Sequence, residues 1–177
     1  MRKLSVAGLA VAALLSMSVA TASAQSVIGV GLGGGVAMPM GDFADAAKMG
    51  FGGGAGFFIY PNAGNIGVRV DGGYFQFNPE ADVDGKFKLM SGMGSLLYMV
   101  PTEGNVRPYF VAGAGLLSSK FGDGDSESAF AWQGGAGLSI GPSNTRLFVE
   151  AKWVSSSKDG ATTSYLPILA GVSFRFR

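Results

Sequence analysis

The chain has no cysteine and no histidine among its 177 residues. Without cysteine it carries neither a disulfide nor a lipid-modified cysteine. Without histidine it lacks the commonest general base and any imidazole metal ligand. Charge is also sparse. Lysine and arginine number 13, aspartate and glutamate 12, and together they make 14% of the chain. That near-balance indicates no nucleic-acid partner. Long segments of strong helix formers are missing. Prolines number seven; five of them (Pro39, Pro61, Pro79, Pro101 and Pro142) fall between predicted strands. Pro108 and Pro167 sit near strand starts, where a missing donor costs least. What abounds is glycine, with 30 residues.

The first 24 residues form a unit of their own. Arg2 and Lys3 give a basic start, Leu4 to Val19 is apolar and small, and Ala22-Ser23-Ala24 is a small-residue cleavage pattern. The reading is a signal peptide, residues 1–24, cleaved after Ala24, with Gln25 as the new N-terminus and residues 25–177 as one domain. Setting aside Arg2 and Lys3 leaves 11 basic and 12 acidic residues. Beyond this segment no apolar run is long enough to cross a membrane as a helix.

The chain's last stretch is the most informative. Leu166, Ile168, Ala170, Val172, Phe174 and Phe176 share one parity, and Pro167, Leu169, Gly171, Ser173, Arg175 and Arg177 share the other. As a strand this has one nearly pure apolar face and one mixed face carrying charge. A soluble barrel points its apolar residues inward, so the pattern predicts a strand with lipid on its outside. The same alternation recurs. Val68, Val70 and Tyr74 oppose Arg69, Asp71 and Gly73; Leu147, Val149, Ala151 and Trp153 oppose Glu150 and Lys152. Trp132, Ala136, Leu138 and Ile140 oppose Gln133 and Ser139, and Ile28, Val30, Leu32 and Val36 alternate with glycines.

Eight strands follow, near 26–38, 51–60, 66–78, 86–100, 106–119, 128–140, 146–157 and 165–176, each long enough for a tilted membrane strand. Longer charged loops are predicted at 39–50, 79–85, 120–127 and 158–164, and tight turns at 61–65, 101–105 and 141–145. Four long and three short connections fit an all-β, closed, eight-stranded, antiparallel up-and-down transmembrane barrel with both termini in the periplasm. Aromatic residues gather toward strand ends, which predicts two interfacial girdles. Tyr60, Tyr98, Tyr109, Phe110, Phe174 and Phe176 would form one, and Phe51, Phe75, Phe77, Phe87, Phe121, Trp132, Trp153 and Tyr165 the other.

Three stretches carry a family resemblance. They are Val27 to Asp42, a glycine-rich strand running into Pro39-Met40-Gly41-Asp42; Arg107-Pro-Tyr-Phe-Val-Ala-Gly-Ala-Gly115; and Leu166 to Phe176. Over residues 25–177 the chain resembles the small outer-membrane β-barrel family, the group around the transmembrane domain of outer membrane protein A, outer membrane protein X and the opacity-type proteins. The family usually ends on its aromatic residue; here Arg177 follows Phe176. The resemblance implies contact with outer-membrane lipid and lipopolysaccharide, and recognition of the last strand by the barrel-assembly machinery.

Catalytic spellings fail on context. Gly29-x-Gly31-x-x-Gly34 matches a dinucleotide fingerprint but runs on as strand, where the fingerprint needs a helix. Gly137-Leu-Ser139-Ile-Gly141 spells a nucleophile elbow but has no histidine base. Barrel-shaped lipid A acyltransferases, deacylases and outer-membrane proteases lose their usual base for the same reason. The expectation is a protein that is not an enzyme and holds no cofactor or metal.

Two charge sets remain. Arg69, Asp71, Glu150, Lys152 and Arg175 fall on inward parity and form the candidate lumen charge network. Eight strands leave an interior just wide enough for side chains, so these charges are expected to pair. Paired and static, they plug the barrel; exchanging partners, they gate it. Asp42, Asp45, Glu80, Asp82, Asp84, Asp123, Asp125, Glu127 and Asp159 put nine of the twelve acids on the loop side. They read as solvated loop charge, with divalent bridging to lipopolysaccharide as the alternative. The functional expectation is a structural or surface-interaction role in the envelope; the alternative is a small pore for ions or small solutes.

Overall fold

The computed structural model describes residues 26–176 except 82, 83, 123, 143 and 159. The predicted signal peptide (1–24), Gln25, Asp82, Asp123, Asp159 and Arg177 lie outside the described residues. Eight strands run in chain order: β1 (Val27–Met40), β2 (Gly50–Tyr60), β3 (Ile66–Phe77), β4 (Phe87–Met99), β5 (Val106–Phe121), β6 (Glu127–Ile140), β7 (Thr145–Lys158) and β8 (Ala161–Phe176). Each pairs antiparallel with its sequence neighbours, and β1 pairs with β8, so the sheet closes into a barrel. Closure satisfies the backbone groups between strands and leaves no edge exposed to lipid.

All the parities read from the sequence hold. Leu32, Val68, Val70, Leu147 and Val149 face outward and are exposed, while Glu150 and Lys152 are buried inside. The same alternation runs through β2, β4 and β5, placing Phe57, Leu96 and Phe110 outside and Phe58, Leu97 and Tyr109 inside. The result is an inverted molecule, with an apolar belt around a lumen packed with mixed side chains.

The connections differ from expectation at the loop end, the end away from both termini. β7 continues to Lys158 and β8 begins at Ala161, so the predicted loop 158–164 shrinks to a hairpin. Serine and threonine extend the ladder there: Ser155 pairs with Ser164, Ser156 with Thr163 and Ser157 with Thr162. The first loop acquires structure of its own. It contains helix α1 (Asp42–Ala46), which places Phe43 over the barrel mouth.

The girdle assignment also needs correction. Tyr60, Tyr109, Phe75, Phe77 and Tyr165 are buried inside, and Phe87 and Phe121 line the inner rim, their ring centroids 4.7 Å apart. Tyr98, Phe110, Phe174, Phe176, Phe51 and Trp132 do face outward. The physical reason is space supplied by glycine. Gly52 lies opposite Phe75, and Gly137 opposite Tyr109. A Cβ at either glycine would strike the aromatic ring.

Candidate functional site

The lumen is layered. Phe58, Tyr60, Leu97, Met99, Tyr109 and Val111 form an apolar cluster toward the terminus end. Phe75, Phe77, Leu89, Met93, Leu117, Val154, Tyr165 and Leu169 form another toward the loop end. Charged side chains from β3 and β7 meet between them.

Arg69 is the hub. Its Nε donates to Asp71 Oδ1 at 2.8 Å, Nη1 to Glu150 Oε2 at 2.6 Å and Nη2 to Glu150 Oε1 at 3.2 Å. Lys152 Nζ lies 3.3 Å from Asp71 Oδ2 and 3.4 Å from Glu150 Oε1. Two cations and two carboxylates thus form a closed, neutral quartet. The fork of Arg69 grips both oxygens of Glu150, the arrangement that makes guanidinium–carboxylate pairs strong and directional. Of the five residues predicted for the network, four come together. Arg175 does not join them; its guanidinium stacks 5.9 Å from the ring centres of Phe58 and Tyr60.

Three further residues complete the set. Tyr109 donates its hydroxyl to Glu150 Oε2 at 2.9 Å. Gln133 Nε2 donates to Ser95 Oγ at 2.8 Å and reaches Asp71 Oδ1 at 3.3 Å. Gln133 was legible as inward by parity, but nothing in its own residue type marked it as a partner of Asp71. By its nearness to a strand end, Tyr109 reads from the sequence as a girdle residue. The usable signal was Gly137, whose missing side chain leaves room for a ring.

The network spans the barrel from β3 to β7 and ties in β4, β5 and β6. The free space around it is about 100 Å³, enough for ordered water among the polar groups. At the loop end a second closure lies above it. The Phe43 ring packs edge-on against Phe77 at 5.1 Å and Phe87 at 5.5 Å. The loop is pinned by Lys48 N–H to Asn78 O and Glu80 N–H to Ala46 O.

Among the described residues no group of three or more acids could hold a metal ion. Glu127 instead faces Lys158 at 3.7 Å.

Comparison with known proteins settles the family. The family model described as outer membrane protein beta-barrel domain matches residues 7–176. The chain belongs to this outer membrane β-barrel family. Solved structures with the same fold include Neisserial surface protein A, with a TM-score of 0.61 and 17% identity over 85% of this chain and 97% of that one. The attachment invasion locus protein Ail of Yersinia pestis has a TM-score of 0.56 and 23% identity, covering 86% of this chain and all of its own. OprG of Pseudomonas aeruginosa has a TM-score of 0.54 and 14% identity, over 86% of this chain and 98% of OprG. At these identities the likeness concerns the fold. No curated protein matches the sequence.

Proposed function

We propose that this barrel is a non-enzymatic, non-conducting outer-membrane protein that braces the envelope and carries its loops on the cell surface. The observation that carries the reading is the double closure of the lumen. Arg69, Asp71, Glu150 and Lys152 cross-link its middle, and Phe43 stops its loop end. An ion would have to part a buried bidentate pair, which is strongly unfavourable without a replacement partner. On this reading the signal peptide is cleaved after Ala24, both termini lie in the periplasm, and the assembly machinery engages β8.

Lipopolysaccharide is the proposed outer-leaflet neighbour. Lys88 and Lys120 lie directly opposite each other on β4 and β5 near the loop end, both on the outward parity. Two like charges in register repel, and lipid phosphate would relieve that repulsion. A structure of the relative Ail holds a heparin analogue, sucrose octasulfate. The loop end here carries Asp42, Asp45, Glu80, Asp84, Asp125 and Glu127, a charge that does not favour a polyanion.

The test is single-channel recording of the folded protein in a planar bilayer. A folded, inserted and silent barrel is the expected result. Discrete, reproducible steps would establish the pore reading instead.

A further inference from the structure

The terminus end of the lumen holds a second cavity, and its wall is basic. A vestibule of about 290 Å³ is lined by Arg107, Arg146 and Arg175, with Asn65, Asn105 and Asn144 beside them. Among the described residues no aspartate or glutamate belongs to that lining. Glu103, in the neighbouring turn, is exposed and lies outside it.

The three arginines are held differently. Arg146 is 2% exposed and is a strut. Its Nε donates to Ser139 Oγ at 2.8 Å, Nη1 to Gly141 O at 2.7 Å, and Nη2 to Asn105 O at 2.8 Å and Ser139 O at 2.9 Å. These acceptors are neutral, so they fix the guanidinium without cancelling its charge. Arg107 on β5 lies opposite Ser139 of β6, the strand that separates it from Arg146 on β7. Its Nε is buried and has no hydrogen-bond partner. Neither Arg107 nor Arg146 forms an ion pair among the described residues. Arg175, stacked on Phe58 and Tyr60, closes the third side. Both Arg107 and Arg175 are near enough to repel the Arg146 charge.

We infer that this vestibule binds a small phosphate-type oxyanion from the compartment facing the chain termini. A buried donor without an acceptor is costly to leave unmade. Guanidinium groups in a partly dehydrated wall select oxyanions, whose geometry matches their fork. The Arg107 and Arg146 charges, neither in an ion pair among the described residues, also repel each other, and an anion between them removes that repulsion. The arginines are on the lumen side, whereas lipid headgroups lie outside the barrel wall. The ligand is therefore a free anion and not a headgroup.

The full chain refolded in maltoside micelles, which contain no phosphate, is the sample for the test. Inorganic phosphate is titrated while arginine Nε–H resonances are followed by NMR at constant ionic strength. The expected result is a saturable shift of the Arg107 signal, competed by sulfate and absent with chloride. Arg107→Gln should weaken phosphate binding about tenfold, with Arg107→Lys intermediate. A linear drift shared by chloride and phosphate would overturn the site. So would equal phosphate affinity in folded Arg107→Gln, or a response to added short-chain phosphatidylglycerol but none to free phosphate. If Arg107→Gln does not fold, the wild-type contrast between sulfate and chloride decides the question.

Discussion

Tyr109 reaches across Gly137 to place its hydroxyl 2.9 Å from Glu150. The three residues stand in one row, Tyr109 opposite Gly137 and Gly137 opposite Glu150, on β5, β6 and β7. The middle position must be bare, because a Cβ at Gly137 would overlap the tyrosine ring. One glycine therefore permits a hydrogen bond between strands that are not neighbours.

Gly137→Ala should destabilise the barrel by about 1–3 kcal/mol through overpacking. Urea unfolding in lipid vesicles measures it. In a Tyr109→Ala background the same substitution should cost less, a coupling of more than about 0.5 kcal/mol. Equal costs in the two backgrounds would show that the ring does not need the gap.

Glu150→Gln leaves Arg69 and Lys152 sharing Asp71 alone. Breaking a buried pair on one side costs about 3–5 kcal/mol, and the unfolding midpoint should fall accordingly. Adding Lys152→Met restores charge balance, so the double variant should be more stable than the sum of the two single losses. An unchanged midpoint in Glu150→Gln would count against the quartet as a brace.

Phe43→Ala removes the aromatic stopper, and the loss should be local. Trypsin cleavage after Lys48 should accelerate, since the loop loses packing of about 3 kcal/mol. The barrel's own unfolding midpoint should barely move. Faster cleavage accompanied by global unfolding would mean that the stopper and barrel are one cooperative unit.

Leu32→Arg tests the outward face. Leu32 is 54% exposed near the middle of β1, where an arginine facing lipid should cost about 2–4 kcal/mol. Leu32→Phe should be nearly neutral. If arginine were tolerated equally well in vesicles, that position would not face hydrocarbon.

The barrel was readable because its alternation is inverted and repeated. Val70 beside Asp71 and Val149 beside Glu150 each state which side is dry, and period two carries that information along the strand. Strands β2, β4 and β5 were harder to read because glycine, serine and alanine occupy both faces. Tyr60, Tyr109 and Tyr165 misled for a related reason: nearness to a strand end says nothing about parity. Their direction depends on a neighbouring strand, through partners such as Gly137, and register is a tertiary property. The network itself was legible as an inward set. Its exclusion of Arg175 was not, since parity gives the side of a strand but not the depth at which long side chains meet.

The backbone bridge between Ala47 and Pro79 bears on how this surface can vary over time. It fastens the first loop to the second, so a length change in either must keep step with the other or lose the seat of Phe43. Beyond the bond at the end of the ladder, Gly122 N–H to Lys86 O, the described residues of 122–126 carry no backbone tie to another loop. Natural drift and deliberate epitope insertion should therefore be accommodated more readily at 122–126 than at 41–49, making one side of the rim a conservative face and the other a variable one.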